Sequence, residues 1–490
     1  MRARTPTSAF ARLLLPLIAA SAVTACATNP ATGKKEVSLM SEAQEVELGQ
    51  QLDGEVRRQM GVYDDPALQK YVESVGLKLA RNSERPNLPW HFTVVDAPAV
   101  NAFALPGGYI YITRGILPFL NDESQLAGVL GHEIGHVTAR HSAQQYTKAT
   151  SAGLGLALLS IFVPQAQALQ GITEQALGVL FLKYGRDDEL QADRLGVHYT
   201  ATSGWSPSGV AGMLTTLERL DEASGSRKGV PNWLSTHPAP ADRVQKIQPA
   251  IQEARAAMRA EPVVTDRGDY LERIDGIVYG DSPREGIVRG NRFLHPDLRL
   301  ALAFPEGWEI VNTSSQVAAK APERNAFMVL QPVQNPAGTV EQIARSGMAN
   351  AGFRQLNGEG AQINGMDAYV GTYQGQMQGL GDVVVMAAHV VHERNVYVFA
   401  GLAPPNEFQS VQRQFEQSIR SFRELSRAEA ANVRPNRLDI YTAREGDTWQ
   451  SIAERIGDGT LKPSTLAIMN NYEPAQPPRA GDRLKVVVAG

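Results

Sequence analysis

The stretch GHEIGHVTARH, residues 131–141, constrains this chain more than any other. On a helix, residues four apart lie one above the other, about 40° apart around the axis. His132 and His136 therefore reach one ion from a single face. Glu133 is turned to the side, where it can hold a water against that ion. A zinc ion there lowers the pKa of such a water towards neutrality, and a carboxylate takes its proton during attack on a carbonyl. Gly131 and Gly135 flank the motif and cost helix propensity, a cost that makes sense where a second backbone packs closely.

A catalytic zinc needs a third protein ligand. His141 is near in sequence but badly spaced. The metzincin arrangement puts a glycine three residues after the second histidine and the third histidine six after it. Here position 139 is Ala and His141 follows by five. With no turn signal, the helix is expected to run on into SAQQY, leaving His141 about 140° around the axis from His136 and facing away from the ion. The alternative is a carboxylate on a second helix. GRDDELQADRLG offers Glu189, with Asp193 one turn later on the same face. Asp193 can accept the ring N–H of a ligating histidine and so fix its tautomer. Asp187 and Asp188 equally suit a plain charged helix start.

The N-terminus has the layout of a secretory signal peptide over residues 1–25. Arg2, Arg4 and Arg12 precede an apolar run, Leu13 to Val23, that is too short to span a bilayer. The run ends at VTAC, whose Cys26 is the only cysteine in the chain and so excludes an internal disulfide. This arrangement resembles the lipobox of bacterial lipoproteins, which implies cleavage before Cys26 and lipidation of its thiol. Ala27, rather than an aspartate, follows the cysteine. The expected location is therefore the periplasmic side of the outer membrane, lipid-anchored. A formal charge of -4 gives no reason to expect nucleic acid as a partner.

Helical patterns fill most of the chain to residue 262. The exception is HFTVVDAPAVNAFALPGGYIYITRGIL, where strand periods are broken by Pro106-Gly107-Gly108. The apolar stretch in 151–182 breaks at Pro164 and is expected to form a buried or membrane-resting helical hairpin. Strands dominate from 285 to 425, with helical patterns at TVEQIARSGMANAG and NEFQSVQRQFEQSIRSF. FPEGWEI, followed much later by SIRSF, resembles PsbP-like domains. The segment YTAREGDTWQSIAERIGD…LAIMNNYEPAQPPRAGDRLKV resembles the LysM module, although Trp449 takes a position more often aliphatic there.

VNAFALPGGYIYITRGIL, the context Gln125-Leu126-Ala127-Gly128 before the histidine motif, ELQADRLG and STHPAPADRVQKI occur in that order. Together with NPATGKKEVSLMSEAQEVELG they resemble the HtpX-type zinc metallopeptidases, in their BepA-like periplasmic lipoprotein branch. The resemblance covers residues 29–250. It implies one Zn2+ per chain on His132, His136 and Glu189, with Glu133 as general base and Asp193 behind the ligands. His237, in STHPAP, is a candidate to approach the open metal position as a gate, and Arg243 to stabilise an oxyanion. A helix-start turn and a surface charge are the plain alternatives for these two. Asn101, Ala102, Phe103 and Ala104 are the expected edge on which a substrate peptide adds as a strand.

The expected architecture is multidomain. A mainly α-helical zincin (gluzincin) domain with a small β-sheet spans 26–262, an α+β PsbP-like domain 285–425, and a β-α-α-β LysM-like module 438–488. The expected work is cleavage of unfolded, misassembled or stalled envelope proteins, with the last module close to peptidoglycan. A chaperone or assembly scaffold is the competing class, and a cell-wall hydrolase a third.

Overall fold

The computed structural model describes residues 26–149, 184–224, 233, 237 and 242–490, apart from positions 32, 34, 38–39, 259–266, 314, 335, 378 and 458–459. The expected signal peptide and the expected hairpin in 151–182 lie outside the described residues. The chain divides into two compact units, residues 1–277 with 438–489, and residues 278–437 with Gly490.

The first unit opens with β1 (Cys26–Thr28) paired antiparallel to β2 (Lys35–Val37). Helix α1 (Glu42–Gln59) begins where Ser41 and Gln44 cap each other reciprocally, side chain to backbone. Helix α2 (Pro66–Ala80) begins on Asp65, whose side chain accepts from the Leu68 N–H, and buries Leu68, Val72, Val75 and Leu79 at helical spacing. Strands β3 (His91–Val95), β4 (Ala102–Leu105) and β5 (Tyr109–Thr113) form a sheet ordered β3-β5-β4, so β4 is an edge strand. The β4–β5 turn uses Gly107 and Gly108 at φ 80° and 99°. A Cβ on Gly107 would lie 2.5 Å from the Val46 Cα, so only glycine lets α1 pass there.

Helix α3 (Glu123–Thr138) starts on Asp122, whose side chain accepts from the Gln125 N–H. It is followed by α4 (His141–Ala149), α5 (Arg186–Thr202), α6 (Ser208–Ser224), α7 (Arg243–Ala257) and α8 (Arg267–Ile274). Helices α3 and α5 cross in backbone contact. A Cβ on Gly131 would stand 3.2 Å from the Gly196 Cα, and one on Gly135 3.0 Å from the Ala192 Cα. The glycines that flank the histidines are thus what allows the two helices to meet.

One expectation fails here. Helix α3 does not run on to His141: it ends at Ala139, and Arg140 turns the chain at φ 58°. No glycine marks this turn. A left-handed arginine is costly by itself, and tertiary bonds offset that cost. Arg140 is ion-paired to Glu45, Arg85 donates to the Val137 carbonyl at 3.0 Å, and Asn29 donates to the Ala139 carbonyl at 3.0 Å. These groups satisfy carbonyls that every helix end leaves without partners.

The second unit is a seven-stranded antiparallel sheet with smaller pieces around it. In chain order it holds β6 (Val278–Tyr279), β7 (Ile287–Arg289), β8 (Arg292–His295), β9 (Leu300–Ala303), β10 (Glu309–Asn312), β11 (Val317–Lys320), β12 (Phe327–Pro332), α9 (Val340–Asn350), β13 (Arg354–Ile363), β14 (Met366–Met377), β15 (Gly381–His392), β16 (Asn395–Ala403), α10 (Pro405–Arg420), β17 (Arg423–Glu424) and α11 (Arg427–Asn432). The large sheet is ordered β10-β11-β12-β16-β15-β14-β13. Helix α10 buries Val411, Phe415 and Ile419, a four-residue stripe, and Phe415 lies against Gly401 of β16.

The chain then returns to the first unit through β18 (Asn436–Thr442), α12 (Trp449–Gly457), α13 (Pro463–Met469) and β19 (Arg483–Val488). These residues do not stand apart as an independent module. The Lys485 side chain is fully buried, and its Nζ donates to the Leu120 carbonyl at 2.6 Å and to Asn121 Oδ1 at 3.1 Å, just ahead of α3.

Candidate metal centre

Helix α3 projects His132 and His136 towards α5, and their Nε2 atoms stand 3.0 Å apart. From α5, Glu189 Oε1 comes within 3.4 Å of His136 Nε2, and its Oε2 within 3.6 Å of His132 Nε2. His237 closes the group, with Nδ1 3.0 Å from Glu189 Oε1 and 3.3 Å from His132 Nε2. All four residues are buried, and one ligand atom from each lies within 4.8 Å of the others.

These spacings test whether a metal fits. Four ligands at zinc's usual distance of about 2.0–2.1 Å occupy the corners of a tetrahedron whose edges are roughly 3.3–3.4 Å. The separations of 3.0–3.6 Å bracket that length. Three imidazole nitrogens and a carboxylate facing one buried point are mutually repulsive unless a cation joins them. The donor set fits Zn2+.

Around the four donors a further layer fixes their orientation. His132 Nδ1 is 2.9 Å from Asp193 Oδ1, so this nitrogen donates and Nε2 is left facing the other donors. Arg243 holds Asp193 with Nε and Nη2 at 2.8 and 2.6 Å, and its Nη1 lies 2.8 Å from Glu189 Oε2. Arg243 is thus no surface charge. Its three nitrogens all face carboxylates, which makes it a brace for the ligands in this structure. His141, expected to be either solvated or placed behind the ligands, is buried behind His136: its Nδ1 sits 2.9 Å from His136 Nδ1, and its Nε2 3.3 Å from Gln191 Oε1. With His136 Nδ1 donating to His141 and His141 Nε2 donating to Gln191, the His136 Nε2 lone pair faces the other ligands.

Charge and burial oppose each other here. Burial pushes Glu133 above the usual carboxylate range, and His237 and His132 only partly offset it. Burial acts the same way on Glu189, but His237, His136 and His132 hold it well below its ordinary value. Burial drives His136 well down, whereas Glu189 and Glu133 hold His237 up against burial. Both Glu133 carboxylate oxygens are buried and, among the described residues, have no hydrogen-bond partner; Oε1 lies 3.6 Å from His237 Nε2. A carboxylate is left so only where something else engages it.

Two aromatic residues cover the donors, and no motif or spacing announced either. Tyr184 stacks on His136 at 3.9 Å between ring centroids, and its hydroxyl is 3.0 Å from that of Ser142. Trp233 stacks on His237 at 4.1 Å. The Trp233 N–H also donates to the Val100 carbonyl at 2.8 Å, which ties the segment carrying His237 to the chain just before β4. The candidate edge residues Asn101, Ala102, Phe103 and Ala104 are buried there. Cys26 lies elsewhere, in β1. Among the described residues no helix is long and apolar enough to cross a membrane.

Residues 66–251 match the model of Peptidase family M48. The chain is 31% identical to the beta-barrel assembly-enhancing protease of Escherichia coli (strain K12) over 237 residues, 46% of this chain and 48% of that protein. It is 34% identical to the mitochondrial metalloendopeptidase OMA1 of Schizosaccharomyces pombe over 190 residues, 38% of this chain and 53% of that one. The chain thus spans about half the length of the curated relatives it matches. Among solved structures, cyanobacterial PsbP from Synechocystis sp. PCC 6803 aligns with 30% of this chain and 98% of its own, at 16% identity and a TM-score of 0.24, too slight a likeness to carry a fold assignment.

Proposed function

From residues 66–251, which match the model of Peptidase family M48, we infer a zinc-dependent endopeptidase that cleaves misfolded or stalled envelope proteins in the bacterial periplasm. One observation carries this reading: His132, His136 and Glu189 converge at zinc spacing beside the buried Glu133 carboxylate, which accepts no hydrogen bond among the described residues. Zinc bound there supplies a Lewis acid that polarises the scissile carbonyl and acidifies the attacking water. Glu133 takes that water's proton and returns it to the leaving amine, a task suited to a carboxylate that burial has pushed up. Asp193 and His141 fix the tautomers of His132 and His136, and Arg243 braces Asp193 and Glu189. The substrate backbone adds to β4, which makes sequence preference weak.

His237 fills the corner of the donor set that substrate needs, so it acts as a gate held by its stack on Trp233. Lipidation at Cys26 anchors the chain to the outer membrane. Residues 285–425 serve as a PsbP-like domain, and 438–488 as a LysM-like module that reaches peptidoglycan. The Escherichia coli relative is named for beta-barrel assembly, which motivates substrates caught during outer-membrane assembly. The second reading, a chaperone or assembly scaffold with little proteolysis, draws on the complete burial of Glu133 and all four donors.

The test is cleavage of casein by the zinc-loaded chain from residue 27 onward, beside Glu133→Gln and His237→Ala. The expected result is cleavage that drops about 10²–10⁴-fold in Glu133→Gln and rises in His237→Ala. Three inactive proteins, each holding one zinc, would move the scaffold reading ahead.

A further inference from the structure

The first unit contains a cleft of about 450 Å³ remote in sequence from the metal centre, where α8 meets the loop between α13 and β19. Its volume lies in the range of small-molecule sites, roughly 300–1,000 Å³. Arg267 from α8, Arg479 from the facing loop and Arg483 at the start of β19 line it. One acidic side chain, Asp482, lies among the lining residues, and the Tyr472 hydroxyl donates to it. Arg483 is ion-paired to Glu272 of α8 at 3.5 Å, so the positive excess of the lining rests on Arg267 and Arg479.

Arg267 sets this cleft apart from an ordinary basic surface. It is half-buried, and burial holds its guanidinium below the usual arginine range although Asp482 and Asp122 partly offset this. Among the described residues no carboxylate comes within ion-pair distance of it, whereas the buried arginines of this unit are matched to acids: Arg85 to Glu45, Arg114 to Asp96 and Arg243 to Asp193. Its polar contact is a long one, Nη2 to Asn470 Oδ1 at 3.3 Å. A half-buried guanidinium with no carboxylate in direct contact is costly to keep. Its planar fork of donors matches a carboxylate or phosphate in a bidentate pair.

We propose that this cleft binds a small oxyanion-bearing ligand, a carboxylate or phosphate, held by Arg267 and flanked by Arg479 and Arg483. The site is linked by structure to what lies behind it. Asn470 accepts from the Lys485 N–H and donates to the Lys485 carbonyl, both at 2.8 Å, and the Lys485 Nζ holds the turn that leads into α3. A ligand that bridges Arg267 and the loop ties α8 to this strand, so it raises the melting temperature of the first unit by mass action.

The test is calorimetric titration of the zinc-loaded chain with succinate and, separately, with inorganic phosphate, at constant ionic strength in chloride. The expected result is a Kd below about 1 mM for at least one of them. Saturable binding of succinate alone names a carboxylate ligand, and of phosphate alone a phosphorylated one. Arg267→Gln should weaken binding at least about tenfold, and Arg267→Lys, which keeps the charge but loses the fork, less than that. His132→Ala should leave the affinity unchanged. No saturable heat with either anion, equal affinity in Arg267→Gln, or loss of binding in His132→Ala would each overturn the proposal, the last by moving the anion to the metal. An unchanged far-ultraviolet spectrum and melting curve for ligand-free Arg267→Lys guards against reading misfolding as lost binding.

Discussion

The α3–α5 crossing and the β15–β16 region of the large sheet are both buried, yet they are held by opposite means. At the crossing the interior is polar: Glu133, His132, His136, Glu189, Asp193 and Arg243 are shielded from water, and backbones approach through glycine. In the sheet the interior is apolar: Phe399, Phe415, Phe422, Val390 and Ala388 fill it, and His389 and His392 are the buried polar groups among the described residues of β15. Charges out of water are tolerated only as a matched set, whereas apolar side chains contribute one by one. Damage at the crossing should therefore spread through the set, and damage in the sheet should remain proportional to what is removed.

The largest expected effect belongs to the sheet. Phe415→Ala empties a fully buried site and should cost about 3–5 kcal/mol, read as a lower denaturant midpoint for β15 by pulse hydrogen exchange. Bound zinc should stay at one per chain. Loss of metal in that variant would break the comparison. Asp193→Asn should weaken zinc binding about 10–100-fold, measured by competition with a chelator. The asparagine cannot accept as a charge from His132 and Arg243 together, so a variant with native affinity would show that the donors hold themselves.

Gly135→Ala tests the crossing where it is tightest. The new Cβ meets Ala192 backbone at 3.0 Å, which no rotamer can relieve, and should cost about 1–3 kcal/mol with part of the zinc affinity. The smallest effect is a slope. Burial lowers His389 to about 4. Its ordinary value is near 6.5, so between pH 6.5 and 4 the unfolded chain takes up a proton that the folded sheet does not. Stability is full above pH 6.5 and falls as pH drops through this window, by at most about 3 kcal/mol. His389→Gln should flatten that part of the pH profile of the β15 midpoint. An unchanged slope would mean that other groups carry it.

Local periodicity made the helices and the strand-rich segment legible, and helical spacing put His132, His136 and Glu133 on neighbouring faces of α3. Gly131 and Gly135 also announced a close neighbour, although not that the neighbour is α5. The turn at Arg140 was hidden because its cause is not local. Asn29, Glu45 and Arg85, far away in sequence, stabilise a conformation that arginine resists. The same holds for the bond between His141 and His136, since the helix angle that argued against it presumed a continuous helix. Tyr184 and Trp233 sit on the donors through tertiary placement alone, for which no spacing rule exists.

The order of synthesis bears on how this molecule is made. Lys485 and Leu120 are 365 residues apart, and the whole second unit is translated between them. That unit pairs Val278 with Arg437, so its two chain ends are held side by side once it folds. It can thus mature on its own timetable and hand back a shortened tether, sparing the closing contact about half a kcal/mol of loop entropy. A growing chain, however, has its histidine helix in place long before the lysine that secures the approach to it.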